Sequence, residues 1–158
     1  TLNLTDTELG YFSADGVLTI GDSVAGTGAV NIDSWDYSAK NHDVVTVGGT
    51  TTIAGGVTGG ANHFTSIART GNLTVNASSA ISAGDITLTS SAGTLTLNST
   101  LTGSGHITAT AGGGNVNQNS GAAISATGAG RNIVVHASDG VFGYANLTTN
   151  GGYIHLLS

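Results

Sequence analysis

The segment at residues 33–43, which reads DSWDYSAKNHD, is the densest mixture of aromatic and charged side chains in the chain. Aromatic rings can stack on sugar faces, and carboxylates accept hydrogen bonds from sugar hydroxyls. These residue types predict a glycan contact made by Asp33, Trp35, Asp36 and Tyr37. The alternative is that Trp35 and Tyr37 cover a wide coil, or its open end, and meet no ligand.

Seven of the nine carboxylates precede residue 44, in glycine-rich text, and this raises the question of calcium. The spacing D-x-[DN]-x-[DN]-G and the glycine- and aspartate-rich nonapeptide repeat, which wrap oxygen ligands around that ion, are both absent from the sequence. The acidic groups are better explained as solvated charges on a chain with few others. We expect no metal and no cofactor. The seven residues are Asp6, Glu8, Asp15, Asp22, Asp33, Asp36 and Asp43.

One acid–base pair falls at the spacing of a sequence repeat. His106 follows Asp85 by 21 residues, so stacked repeats would place the two side chains about 5 Å apart. The pair has no nucleophile or third group beside it, which favours a surface ion pair over catalysis. Arg69 and Arg131 are too far apart in sequence to build a basic site that acts on sugars. We therefore predict that the protein is not an enzyme.

Composition excludes several other classes of function. The 158-residue chain has a net charge of −6 and only three basic residues, whereas nucleic-acid binders cluster Lys and Arg. It has no apolar run near 18 residues, so we expect no membrane insertion. Proline and cysteine are absent and glycine supplies 26 residues, while threonine and aliphatic residues alternate as they do in strands. No window has helical periodicity, which predicts a structure without helices.

Three families of short segments recur in fixed order. Any functional site must be built on the strands that these segments form. Within a segment the apolar residues stand at i and i+2, on one face of a strand. The extra residues between Asn117 and Arg131 are interpreted as one looped-out insertion. The first family is GDITL at 84, GHITA at 105, RNIVV at 131 and GYIHL at 152. The second is GNLTV at 71, GTLTL at 93, GNVNQ at 114 and GVFGY at 140, and the third centres on Ile81, Leu101, Ile124 and Leu147.

The repeat predicts an all-β fold, a parallel β-helix (β-solenoid) with about 21 residues and three short strands per coil. One repeat cannot bury its apolar face alone, whereas stacked repeats bury it in a continuous core. We expect a right-handed coil. Glycines would mark the corners, and about seven coils would make a rod of about 35 Å. The alternative is an antiparallel β-sandwich, which also has short strands and frequent turns.

The whole chain, 1–158, is predicted to be a single β-solenoid segment excised from a longer protein. Residues 71–158 carry the regular repeats, and residues 1–66 are less regular. In that first half, 33–43 is predicted to be a loop extruded from the coil.

Two stretches carry a resemblance to a known family. Residues 4–32 resemble filamentous-haemagglutinin-like bacterial surface adhesins and giant β-strand-repeat exoproteins of the two-partner-secretion type. The sequence of this segment is LTDTELGYFSADGVLTIGDSVAGTGAVNI. GDITLTSSAGTLTLNSTLTGSGHITATAGGGNV at 84–116 is similar to their rod repeats. The resemblance implies a secreted rod at the bacterial cell surface that presents adhesive regions. It brings no catalytic or ligand-binding motif with it.

The expected partners follow from the repeat and the resemblance. Neither end shows a polar capping repeat, which indicates stacking on neighbouring repeats or on copies of the same chain. A self-assembling extracellular filament and a carbohydrate-binding module are thus the alternatives to a rod segment. A cell-surface glycan or protein is the other partner expected, and nucleic acid is not.

Overall fold

The computed structural model describes residues 2–22, 24–143 and 146–158, which form a parallel β-solenoid of about six turns with about 22 residues per coil. Seven layers are stacked, and each contributes one element to each of three sides. The layers are, in chain order, β1 (Leu2–Leu4), α1 (Asp6–Gly10), β2 (Gly16–Gly21); β3 (Val30–Ile32), β4 (Trp35–Asp36), β5 (His42–Gly48); β6 (Thr51–Ile53), β7 (Val57–Thr58), β8 (Phe64–Ala68); and β9 (Leu73–Val75), β10 (Ile81–Ala83), β11 (Ile86–Ser90). They continue with β12 (Leu95–Leu97), β13 (Leu101–Gly103), β14 (Ile107–Ala111); β15 (Asn115–Gln118), β16 (Ile124–Ala129), β17 (Ile133–Ala137); and β18 (Gly140–Gly143), β19 (Leu147–Asn150), β20 (Ile154–Leu157).

The three segment families of the sequence form the three sheets of the solenoid. We number the sheets by their order within a layer, so that the first sheet runs from β1 to β18, the second from β4 to β19 and the third from β2 to β20. In the third sheet, Ile86 pairs with Ile107, Ile107 with Ile133, and Ile133 with Ile154. The other two families pair in the same way, and the strand pairs described are parallel. The predicted parallel β-helix is therefore confirmed, and the antiparallel sandwich is wrong.

The core is a set of apolar columns that run through the layers. In β11 the side chains of Ile86 and Leu88 are buried, whereas those of Thr87 and Thr89 face outward and are half-buried. Because parallel pairing keeps equivalent positions above one another, buried residues of successive coils contact each other. Burial of such a column, at roughly 25 cal/mol per Å² of apolar surface, is the main term that holds the layers together.

The first layer contains a short helix that the sequence reading did not predict. Helix α1 lies where the other layers have a strand of the second sheet, beside β4. The Thr5 hydroxyl accepts the Glu8 amide, and the Glu8 carboxylate accepts the Thr5 amide at 2.9 Å, which is a capping box. Leu9 is buried against the second layer. Five residues are too few for a periodicity test, but the spacing Thr5-x-x-Glu8 was the available signal.

No helix within the described residues is long and apolar enough to cross a membrane.

The extra residues of the sixth coil do not form one loop. Relative to the preceding coil, two of them lengthen the turn between β15 and β16, and three lie between Ile124 and Ile133. At the second place the pairing register shifts between Ala126 and Ala129, which is a β-bulge at the end of β16. Dividing the insertion leaves both neighbouring sheets in register.

Candidate functional site

The segment at 33–43 is part of the second layer and is not extruded. Strand β4 pairs with β7, and the Trp35 amide donates to the Gly56 carbonyl at 2.9 Å. The Tyr37 amide donates to the Thr58 carbonyl, also at 2.9 Å. The backbone amides on both sides of Asp36 are thus hydrogen-bonded to the third layer. The prediction of an extruded loop is therefore wrong.

Trp35 and Tyr37 lie inside this layer, where their exposed fractions are 1% and 0%. Their ring centroids are 5.1 Å apart, and the Tyr37 hydroxyl donates to the His63 carbonyl at 3.0 Å. Burial, and secondarily the charge of Asp43, raises the pKa of the Tyr37 phenol well above its ordinary value. Rings in this position cannot stack on a sugar. The structure instead supports the alternative reading, in which the two rings fill a wide coil.

The acidic members of the predicted glycan contact remain on the surface. Asp33 and Asp36 are exposed. The hydroxyl and the amide of Ser38 donate to Asp36 Oδ1 at 2.7 and 2.9 Å, and they lower the pKa of that carboxyl. Asp36 is thus engaged in a local turn, and the four predicted residues do not form one exposed site.

His42, in the same layer, is 3% exposed, and its ring lies parallel to that of Tyr37 with centroids 6.3 Å apart. Neither of its ring nitrogens, nor Trp35 Nε1, has a hydrogen-bond partner among the described residues. Unpaired buried polar atoms cost free energy, so the interior of the second layer is held less favourably than that of the regular coils.

A row of side chains at one corner links layers two to seven. We name Asp43, His63, Asp85, His106 and Asn132 the corner ladder; each stands one position before the first core residue that its coil places in the third sheet. Each side chain accepts a hydrogen bond from the backbone N–H of the equivalent residue in the next layer. The bonds are His63 N to Asp43 Oδ1 (2.7 Å), Asp85 N to His63 Nδ1 (2.8 Å), His106 N to Asp85 Oδ1 (2.6 Å), Asn132 N to His106 Nδ1 (3.2 Å) and Tyr153 N to Asn132 Oδ1 (3.1 Å).

The stacking of Asp85 with His106 is confirmed, but the contact differs from the predicted ion pair. The Asp85 carboxylate accepts the backbone amide of His106 through Oδ1, and the histidine beside its other oxygen is His63, whose Nδ1 lies 3.3 Å from Asp85 Oδ2. Sequence reasoning missed His63 because its segment, ANHF, lacks the glycine phrase of the later repeats. The available signal was its place 22 residues before Asp85.

Both ends of the stack expose large apolar side chains, and the first layer also exposes carboxylates. In the last layer the apolar side chains lie beside a cavity of about 310 Å³ in the interior of the last three layers. The first layer exposes Tyr11, Phe12 and Val17 together with Glu8, Asp15 and Asp22. The exposed apolar residues of the last layer are Phe142, Tyr153, Ile154, Leu156 and Leu157, and the cavity is lined mainly by Val116, Ile124, Val135, Leu147 and Leu156.

Within the part of the chain that the structure describes, no group of three or more His, Asp or Glu residues could hold a metal ion. Comparisons with protein-family models, with curated proteins and with solved structures each give no match to this chain.

Proposed function

We propose that the chain is a non-catalytic structural rod segment of a secreted bacterial surface adhesin or extracellular matrix protein, which presents adhesive regions away from the cell. The observation that carries the proposal is the third sheet, in which parallel pairing continues through all seven layers from β2 to β20. The family resemblance of 4–32 and 84–116 supports the extracellular, cell-surface setting. A cell-surface glycan or protein is the partner that such a rod would serve.

The hydrogen bonds of the three sheets run along the rod axis, because the strands lie across it. Tension along the axis therefore acts on three ladders in each layer, for example on Ile86 N to His106 O at 2.9 Å. Polar side chains add to the same links, as the corner ladder does and as Thr94 N does in donating to Asn72 Oδ1 at 2.9 Å. These polar groups therefore join neighbouring layers, as a rod under tension requires.

Single-molecule pulling between the two termini tests the rod. Release of one coil of about 22 residues should lengthen the chain by about 70–75 Å, so we expect steps at multiples of that value. Leu95→Ala, in the fifth layer, should lower the force of the steps that include its coil, and Thr96→Ala should not. A single all-or-none release at low force, or rapid proteolysis within 71–158 under native conditions, would contradict a stack that resists tension.

A second candidate is a subunit that stacks head to tail into an extracellular filament. The apolar face of the last layer favours it, as do the outer edges of β18, β19 and β20, which pair with no further strand among the described residues. The acidic first layer complements Arg131 and His155, which are exposed in the last two layers. A head-to-tail contact does not close on itself, so it produces open filaments.

Sedimentation velocity over a range of concentrations separates the two candidates. A filament subunit should associate, and Leu156→Glu on the last layer should abolish the association. Thr74→Glu, on the side of the rod, is the matched control and should leave it intact. A monomer at every concentration would eliminate the filament and leave the rod proposal standing.

A further inference from the structure

We infer that the corner ladder is a proton-sensitive joint, in which the neutral rings of His63 and His106 bind successive layers and their protonation loosens them. The inference concerns response to acid and goes beyond the proposed function. It rests on the five hydrogen bonds between side chains and backbone amides that link layers two to seven.

The hydrogen bonds determine the protonation state of both rings. A backbone N–H can only donate, so His63 Nδ1 and His106 Nδ1 must carry a lone pair where they face the amides of Asp85 and Asn132. Each ring is therefore neutral, with its hydrogen on Nε2. At His106 this hydrogen faces Arg131 Nη1, which is also a donor, so the 3.3 Å contact between these two nitrogens is not a hydrogen bond. When such a ring gains a second proton, an N–H on Nδ1 faces the backbone N–H, and the interlayer hydrogen bond is lost.

His106 is the more sensitive of the two. Arg131 Nη1 lies 3.3 Å from its Nε2, so a protonated ring stands beside a guanidinium as well as an amide donor. Asp85 is the carboxylate on the neighbouring layer, and its Oδ1 is already bonded to the His106 amide. Protonation of His106 thus removes one hydrogen bond and places two cations side by side.

His63 has a partial compensation. Asp85 Oδ2 lies 3.3 Å from His63 Nδ1, and Asp43 Oδ1 accepts the His63 amide. A protonated His63 loses the Asp85 amide but gains an ion pair with the Asp85 carboxylate. We therefore expect the fourth link of the ladder, between His106 and Asn132, to open further in acid than the second, between His63 and Asp85.

The ladder also supplies its own controls. Its first and last acceptors are side-chain oxygen atoms, those of Asp43 and Asn132, and not histidine nitrogens. The amides that they accept, those of His63 and Tyr153, should not respond to the pH change that opens the links made by histidine.

Amide hydrogen exchange of the full chain, measured by NMR, tests the joint. Protection factors corrected for intrinsic exchange are compared at about pH 7.5 and about pH 5, on either side of the ordinary histidine titration. Loss of one hydrogen bond should lower the protection of the Asn132 amide about tenfold, and that of Asp85 less. The amides of His63 and Tyr153 should keep theirs. Equal changes at all four amides, or none, would overturn the inference.

Two further measurements keep the result independent of overall stability. His106→Asn imitates the acceptor already present at Asn132 and should abolish the pH response of the Asn132 amide, whereas His106→Leu should lower its protection at both pH values. Ring ¹⁵N shifts of the unmodified protein should show the Nε2–H tautomer of both histidines at neutral pH. Persistence of the response in His106→Asn, or an Nδ1–H tautomer, would show that the ladder does not sense protons.

Discussion

Gly55 offers the sharpest test of how closely the layers approach each other. It lies in the turn between β6 and β7, directly over the turn that joins β3 to β4 in the layer before. A Cβ at this position would overlap the carbonyl oxygen of Asp33, which is a backbone atom and cannot rotate away. Gly56, the next residue, has room: its Cβ would lie 3.7 Å from the nearest atom, the Ala80 carbonyl oxygen.

The structure gives the size of the effect of Gly55→Ala. Restoring van der Waals distance requires the two turns to separate by more than an ångström. That movement stretches two interlayer hydrogen bonds, Ala54 N to Ile32 O at 2.7 Å and Trp35 N to Gly56 O at 2.9 Å. Two lost hydrogen bonds and the residual strain together predict a decrease of about 2–4 kcal/mol in the free energy of unfolding. Gly56→Ala should change it by less than about 1 kcal/mol, with a gain expected from the stiffer unfolded chain.

Urea denaturation followed by far-ultraviolet circular dichroism and by tryptophan fluorescence measures both variants. Trp35 is the single tryptophan of the chain, and its backbone amide donates to Gly56 at the same corner, so the fluorescence reports on the place that is perturbed. If the two variants differ by less than about 0.5 kcal/mol, the close stacking described for this corner is incorrect.

Three other changes probe the core. Leu95→Ala, which opens a cavity in a fully buried column, should reduce the free energy of unfolding by about 2–5 kcal/mol in a chemical denaturation experiment, and Thr96→Ala on the outer face should cost under about 1 kcal/mol. Replacing His42 with Phe removes two unpaired buried nitrogens and should raise thermal stability by about 1 kcal/mol; a lower melting temperature would mean that those atoms have partners. Because burial raises the pKa of Tyr37, its neutral form stabilises the fold below about pH 10, and stability should fall as the pH rises above that value; in Tyr37→Phe this part of the alkaline loss should disappear from a stability–pH profile.

The candidate site was less predictable than the fold. Asp43, His63, Asp85, His106 and Asn132 are 20 to 26 residues apart in sequence, and nothing in their residue types marks them as one row. Only the register of the third sheet aligns them. Conversely, Trp35 and Tyr37 have the composition of a sugar-binding pair. Their side chains face inward because β4 continues the second sheet, so burial could not be read from the local sequence.

The parallel solenoid, its three strands per coil and the residues that pair within 71–158 follow from the order of the amino acids alone. Apolar residues at i and i+2 can be buried only by stacking, and a constant repeat length keeps equivalent positions in register. The repeat also predicts glycines at the corners. At Gly93 and Gly114 the stacked coils supply the reason for glycine, because the backbone there is not left-handed. A Cβ there would lie 2.6 Å from Asn72 Oδ1 and 2.8 Å from Thr94 Oγ1 in the layer before. The distance between neighbouring coils is set by their stacking, so it cannot be deduced from the sequence of one coil.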